Sequence, residues 1–147
     1  MLLALLDMAR LLPSEAPDDQ ILGLVEEWID RLAEERYDDA FRLVAARSHW
    51  TPELLRKVVE SYGLAGPHPS GAVFKVTSPR TARKSSTSPA SHNRWVQRWI
   101  TPNSSNAIGI VEYDLPINGS WSDLTALFDL RLVGSQLALE LDDVHVL

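Results

Sequence analysis

The chain contains no cysteine, so it can form neither a disulfide nor a zinc site with thiolate ligands. It also lacks a glycine-rich phosphate loop, a serine elbow and a His-x-x-x-His pair, the motifs that most directly indicate nucleotide, hydrolase or metal chemistry. No apolar run is long enough to span a bilayer. We therefore expect no cofactor, no metal and no membrane insertion. The absence of cysteine fits a cytoplasmic location.

Acidic residues are missing from the whole middle of the chain. Residues 1–60 hold 7 Lys/Arg and 13 Asp/Glu. Residues 61–111 hold 6 Lys/Arg and no Asp/Glu, and residues 112–147 hold 1 Arg and 7 Asp/Glu. The basic middle, with Trp95 and Trp99 in it, is typical of a segment that tracks a nucleic-acid backbone. The net charge of −6 argues against that function, and we expect no nucleic-acid partner. The six cations are Lys75, Arg80, Arg83, Lys84, Arg94 and Arg98.

At 147 residues the chain is expected to form a single domain, residues 1–147. Residues 1–16 read as a short amphipathic helix that packs on its own domain, or as an arm that packs on a second subunit. The segment lacks the basic start and the cleavage site of a signal peptide. Residues 77–93 are basic and rich in serine and proline, which predicts a mobile loop.

Residues 18–63 are predicted to be helical. Apolar residues recur at helical spacing after the acidic pair Asp18-Asp19. A second helix is expected from Asp38 or Asp39 to about Arg47. A third should start at the capping residue Thr51 and end at Gly63, because glycine commonly ends helices. Residues 71–76 could form a strand, and residues 94–100 fit either a strand or a helix.

Residues 107–147 predict a three-stranded antiparallel meander. Its strands are joined at Asn118-Gly119 and Gly134-Ser135, which are residue pairs of tight hairpin turns. Two-residue turns would place Asp114 opposite Asp123, Tyr113 opposite Leu124, Phe128 opposite Leu141 and Leu124 opposite His145.

The register divides these strands into two faces. One face is apolar and should be covered by the helices, which makes the fold α+β; it holds Val111, Tyr113, Leu115, Leu124, Ala126, Phe128, Leu130, Leu132, Leu137, Leu139 and Leu141. The other face is acidic and half apolar. It holds Glu112, Asp114, Asp123, Asp129, Glu140 and Asp142, with Ile108, Ile110, Leu127, Val144 and Val146 among them. Such a face suits a basic protein partner, and the candidate contact residues are Asp114, Asp123, Asp129, Glu140 and Asp142.

The apolar face changes character at one end. Asp143 and His145 continue its row, and Tyr113 lies in the same row across the strands. A carboxylate, an imidazole and a phenol at a sheet edge form a candidate acid–base pocket for a small apolar ligand or substrate. A β-bulge at Asp142-Asp143 would instead swap the faces, turning Val144 and Val146 inward and leaving Asp143 and His145 near a surface edge.

Three helices followed by an antiparallel meander resemble the cone-shaped fold of the nuclear-transport-factor-2-like (NTF2-like, cystatin-like α+β) superfamily. The segment EERYDDAFRLV (residues 34–44) looks like the helical entry of those proteins. The stretch YDLPINGSWSDLTALFDL, with LALELDDVHVL after it, resembles a bacterial family of uncharacterised small domains. The resemblance implies helices packed on a curved sheet and a pocket between them. Members of the NTF2-like superfamily include isomerases, dehydratases, ligand-binding modules and immunity proteins.

These observations favour a binding protein over an enzyme. The expected function is that of an immunity-type or accessory protein that binds a partner protein, or a second copy of itself, through the sheet face. The alternative is an enzyme with isomerase-like or dehydratase-like acid–base chemistry at Tyr113, Asp143 and His145.

Overall fold

A computed structural model describes residues 9–64, 66–83 and 93–146. The helices of these ranges are α1 (Asp18–Ala33), α2 (Tyr37–Leu43) and α3 (Pro52–Glu60). The strands are β1 (Leu12–Pro13), β2 (Ala45–Ala46), β3 (Arg94–Arg98), β4 (Ala107–Ile117), β5 (Ser120–Val133) and β6 (Gln136–Val146). The segment predicted to be either a strand or a helix is therefore strand β3.

Helix α1 covers one face of the sheet, which we call the inner face. Its apolar stripe is buried over its whole length, from Ile21 to Leu32. Trp28 is fully buried and meets Phe128 of β5 edge to face, with ring centroids 5.1 Å apart. This contact joins the helix to the centre of the sheet, since aromatic pairs in this arrangement add to the energy of burial.

Helices α2 and α3 follow the predicted order with one changed boundary. Thr51 caps α3 as expected, accepting a hydrogen bond from the Leu54 amide at 3.0 Å. The helix ends at Glu60 with Ser61 as its C-cap, so the C′ position predicted for Gly63 is occupied by Tyr62, with a φ of +54°; Gly63 follows with a φ of +83°. Helix α2 ends at Leu43, earlier than predicted, because Ala45 and Ala46 pair with β6 as strand β2.

The sheet has the order β1-β6-β5-β4-β3, and β2 also pairs with β6. Both predicted turns are present, since Ile117 pairs with Ser120 and Val133 pairs with Gln136. The predicted pair Phe128 and Leu141 is also confirmed. The predicted inner face is confirmed as well: all its members are buried except Leu132, which is partly buried.

The first hairpin contains an irregularity that the sequence prediction missed. Beyond Pro116 and Trp121, three residues of β5 (122–124) lie opposite Leu115 alone. The Ser122 hydroxyl satisfies the loosened backbone by donating to the Leu115 carbonyl at 2.7 Å. Two extra residues leave the faces unchanged, because side chains alternate with a period of two. They do shift the partners, so the predicted pairs Asp114–Asp123 and Tyr113–Leu124 are wrong: Asp114 pairs with Thr125 and Tyr113 with Ala126.

The second hairpin contains a bulge of one residue, at Asp142 of β6. Leu141 pairs with Phe128, but Asp143 pairs with Leu127, so Asp142 has no partner of its own. The Trp50 indole donates to the Asp142 carbonyl at 2.9 Å, and the Asp143 carboxylate accepts from the Val144 amide at 2.8 Å. One extra residue swaps the two faces beyond it.

The alternative prediction, a β-bulge at Asp142-Asp143 that swaps the two faces, is therefore correct at this end of the sheet. Val144 is buried, and the pairing of Leu124 with His145 is wrong, because Leu124 pairs with Val146. Val146 is only partly turned inward, since 44% of its surface remains exposed.

Two predicted segments differ from their expectation where they are described. Residues 1–8 of the predicted N-terminal helix lie outside the described residues; residues 9–16 contain strand β1 instead of a helix, paired with β6. Residues 84–92 of the predicted mobile loop also lie outside them. Residues 77–83 are attached to the first hairpin through the Thr77 amide on Pro116 and the Arg83 amide on Gly119, both at 2.9 Å. Residues 71–76 form only a single bridge, from Val76 to Ile117.

These elements establish an α+β fold with helices packed on one face of a curled antiparallel sheet. The sheet curls where the long paired strands β4, β5 and β6 contain bulges, because bulges increase local twist. None of the helices in the described ranges is both long and apolar enough to cross a membrane.

Two glycines provide a matched test of the backbone geometry. A Cβ atom added at Gly23, within α1, or at Gly119, in the first hairpin turn, would meet no atom within 4 Å. Gly23→Ala should stabilise the protein by roughly 0.5–1 kcal/mol, because glycine is a poor helix residue. Gly119 has a φ of +88°, so Gly119→Ala should destabilise it by about 1 kcal/mol. Urea unfolding measures both free energies, and equal effects of the two substitutions would contradict the predicted turn.

Candidate binding surface

The side of the sheet that faces away from α1, here called the outer face, carries three half-buried apolar residues. Trp95, Ile110 and Leu127 come from three neighbouring strands, and we call them the apolar band. Trp95 and Leu127 both lie opposite Glu112, and Ile110 is their diagonal neighbour. None of the three packs against the main core, although that core includes partly buried residues from the same strands. The band is therefore a surface feature.

Three acidic residues of the outer face are bound to arginines of the same chain. Arg47, which follows β2, reaches Asp129 at 2.7 Å and the bulged Asp142 at 2.5 Å. Asp129 remains partly buried, and burial raises the pKa of its carboxyl although Arg47 acts in the opposite direction. Both carboxylates were predicted to contact a partner. The structure shows them holding the segment after β2 against the sheet.

A second ion pair on the same face is almost completely buried. Arg131 of β5 donates through Nε to Glu140 of β6 at 2.8 Å, and the two side chains are 8% and 2% exposed. Arg131 also donates to the Ser105 carbonyl and lies 3.8 Å from Asp129. Glu140 is therefore an internal residue, and its predicted role as a surface contact does not fit its position.

Asp114 and Asp123 are also engaged within the chain. Asp114 is buried and accepts hydrogen bonds from the Thr125 hydroxyl at 2.6 Å and the Asn93 amide at 2.8 Å. Asp123 is exposed, and its carboxylate accepts a short hydrogen bond from the Tyr62 hydroxyl. Asp114 and Asp123 therefore do not oppose each other, and the repulsion that the predicted register implied between them does not arise.

The predicted pocket cluster is not brought together. Tyr113 is fully buried on the inner face, where its hydroxyl donates to Glu26 of α1 at 2.6 Å. Burial and this carboxylate raise the pKa of Tyr113, so it stays a phenol at neutral pH. Asp143 and His145 lie on the outer face and pair with each other at 2.6 Å, with half to two-fifths of each side chain exposed. The bulge at Asp142 separates them from Tyr113.

The basic middle of the chain pairs with the acidic helices. Arg94, Arg98 and Arg80 contact Glu26, Asp18 and Asp30 of α1 at 3.6, 3.2 and 2.5 Å. Lys75 contacts Glu35 at 3.0 Å. Of the five cations of this segment that the structure describes, four thus have carboxylate partners in the first 60 residues. The uneven charge of the sequence reflects this internal complementarity.

Two acidic residues of the outer face keep accessible surface and have no lysine or arginine partner within the described ranges. Glu112 is half-buried between Trp95 and Leu127, and no cation within the described ranges forms an ion pair with it. Asp143 is half exposed beside Leu127, with His145 as its neighbour. Sequence reasoning placed Glu112 on this face but did not choose it as a contact, and it missed Arg47 completely. Successive residues of a strand lie on opposite faces, so Trp95 beside Arg94 in the sequence could have indicated an apolar residue on the outer face.

Comparisons of the chain with protein-family models, with curated protein sequences and with solved structures find no match. The resemblance to the NTF2-like superfamily and to a bacterial family of small domains therefore remains a prediction. Within the described part of the chain, no group of three His, Asp or Glu side chains could hold a metal ion.

The buried pair Arg131–Glu140 should be costly to break. Glu140→Gln removes the closest counter-charge of Arg131 in a nearly dry site and leaves Asp129, 3.8 Å away, so we expect a loss of about 3 kcal/mol in the free energy of unfolding. The exposed pair Arg42–Asp39, 2.7 Å apart, is the control, and Arg42→Gln should cost less than about 1 kcal/mol. Chemical denaturation measures the free energy of unfolding of the two variants. A loss for Glu140→Gln as small as that for Arg42→Gln would show that the Arg131–Glu140 pair is hydrated.

Asp129 should leave a signature in the pH dependence of stability. Its pKa is raised in the folded protein, so in a window just above 3.8, its ordinary value, the folded state holds the proton more tightly than the unfolded state. Its contribution to stability is therefore present below that window and is lost as the pH rises through the folded pKa. Asp129→Asn removes this loss. The stability of the variant relative to the parent should thus improve as the pH rises above 3.8 through the folded pKa of Asp129, as measured by urea unfolding. A difference that shrinks with rising pH would mean that Arg47 lowers the pKa.

Proposed function

We propose that the protein is a non-enzymatic binding protein whose outer sheet face docks a partner protein. The observation that supports this function is the apolar band of Trp95, Ile110 and Leu127, which lies on the side of the sheet opposite the helices. Aromatic and aliphatic residues at the centre of a protein interface supply most of its energy. An immunity-type or accessory role fits such a surface.

The internal ion pairs adapt this face to docking. A carboxylate that must lose water on binding is expensive unless it already has a counter-charge. Arg47 and Arg131 provide that charge for Asp129, Asp142 and Glu140. The part of the face around the band can therefore be covered at a lower desolvation cost than its acidic sequence suggests.

The remaining charge specifies the chemistry of the partner. The outer face carries the acids Glu112, Asp114, Asp129, Glu140, Asp142 and Asp143 against the arginines Arg47 and Arg131, so it stays negative after internal pairing. We infer a partner with an apolar contact area bordered by lysine or arginine. Such complementarity raises the association rate and weakens at high salt.

Charge reversal at the open acids tests this function. Glu112→Lys with Asp143→Lys should abolish capture of a basic partner, and Ile110→Ser should weaken it by roughly tenfold or more, because truncated central residues cost over 1 kcal/mol. Glu53→Lys with Asp38→Lys is the matched control, since it makes the same charge change on the helical layer. The partner, purified after capture, is titrated against each variant by calorimetry at low and high salt.

Two results would contradict the proposal. Equal affinity of the outer-face and control variants would place the binding surface elsewhere. A concentration-dependent dimer in analytical ultracentrifugation that Ile110→Ser converts to a monomer would identify the occupant of the face as a second copy of the chain.

A further inference from the structure

The helical layer contains a cleft that the proposed function does not use. It lies between α2 and α3 and has a volume of about 710 Å³, within the range of small-molecule sites. We call it the helical cleft. Its lining includes Tyr37, Glu53, Arg56, Lys57 and Glu60. The cleft is separate from the outer face, because none of its lining residues belongs to the sheet.

Tyr37 places a phenol at the base of the helical cleft. Its side chain is 7% exposed and belongs to the core, yet it also lines the cleft. The hydroxyls of Tyr62 and Tyr113 donate to carboxylates. Among the described residues, the hydroxyl of Tyr37 has no such partner, and burial raises its pKa to about 12. The ring is buried, but the hydroxyl keeps accessible surface in the cleft. It can therefore donate to or accept from a polar ligand there.

Arg56 lies directly over this phenol. Its guanidinium carbon is 4.4 Å from the centroid of the Tyr37 ring, a stacked cation–π contact. One of its nitrogens donates to the Glu35 carbonyl at 3.3 Å, and the nearest Glu35 carboxylate oxygen is 3.9 Å away. Glu35 is itself bound more closely by Lys75, at 3.0 Å. The remaining N–H groups of Arg56 are therefore held in a fixed plane, ready for the two oxygens of a carboxylate.

The other wall of the helical cleft offers negative charge. Glu53 and Glu60 lie on the cleft side of α3, and neither forms an ion pair within the described ranges. Glu60 is close enough to Tyr37 to contribute to the raised pKa of the phenol. Asp39, by contrast, is already bound by Arg36 and Arg42, at 2.6 and 2.7 Å. The cleft thus presents a stacked guanidinium, an accessible hydroxyl and a carboxylate that has no ion pair within the described ranges.

We propose that the helical cleft binds a small zwitterion of the α-amino-acid type. Its carboxylate lies on Arg56, and its ammonium group lies between Glu60 and the hydroxyl of Tyr37. A simple anion would leave Glu60 opposed to it, and a simple cation would leave Arg56 unused, so the paired charges of the lining favour a ligand with both. This site does not depend on the outer face or on its partner.

Calorimetry of the full chain with the common α-amino acids, one at a time at about 10 mM, tests the proposal at the millimolar affinities expected of so small a ligand. At least one should bind. Its analogue without the amino group and its analogue without the carboxylate should each bind at least about tenfold more weakly, because each loses a charge-assisted hydrogen bond. Tyr37→Phe should weaken binding about fivefold, and Arg56→Gln should weaken it further.

Tyr62→Phe is the control, since it removes a hydroxyl bonded to Asp123 and leaves the cleft intact. It should bind like the parent protein. Circular dichroism confirms that each variant is folded; Tyr37→Phe keeps the ring and decides the outcome if Arg56→Gln unfolds. The proposal is overturned if no amino acid binds, if the analogue without the amino group binds as tightly as the amino acid, or if Tyr37→Phe binds like the parent.

Discussion

The hydrogen bond from the Trp50 indole to the Asp142 carbonyl fixes the feature on which both sides of the sheet depend. It gives the carbonyl of the bulged residue a partner where the ladder with β5 is interrupted. Without that partner the bulge would leave a polar backbone group unsatisfied, which is costly in a buried position. Because the bulge holds one extra residue, Val144 joins the core while Asp143 and His145 turn outward. The same position anchors Arg47, so one irregularity defines the inner packing and the outer charge network.

Charge complementarity within the chain explains a composition that would otherwise indicate an external polyanion. The basic middle lies along the acidic helices, and the arginines of the outer face bind three of its carboxylates. These are intramolecular roles, and they leave less free charge than a count along the sequence implies. Exposed pairs of this kind contribute little energy each, whereas the buried Arg131–Glu140 pair links β5 to β6 in a nearly dry site and is costly to break. What remains for recognition is the apolar band, Glu112 and the lining of the helical cleft.

Much of the architecture was predictable because it depends on local patterns. The helical spacing of Ile21, Val25, Trp28 and Leu32, the cap at Thr51 and the Asn118-Gly119 turn each act over a few residues, and each was confirmed. The inner face was predicted correctly even though the first register was wrong, since the bulge opposite Leu115 adds an even number of residues.

The candidate sites were harder to predict, because they depend on contacts between distant segments. The bulge at Asp142 needs Trp50, which is 92 residues away, and a single inserted residue reverses every side chain beyond it. The pocket of Tyr113, Asp143 and His145 failed for this reason. Arg47 was missed because nothing near it in the sequence indicates β6 as its partner. The helical cleft arises only when α2 and α3 pack together, so no single motif marks it.

Thiol labelling of single-cysteine variants tests the orientation of β6 most directly, and the absence of native cysteine makes the experiment unambiguous. Cysteine is placed in turn at positions 143, 144 and 145, and the rate of reaction with a soluble maleimide is measured under native conditions. The account predicts rapid labelling at positions 143 and 145 and strong protection at position 144, which follows their exposure. Rapid labelling at 144 with protection at 143 and 145 would show that the bulge is absent and that Asp143 and His145 face the helices.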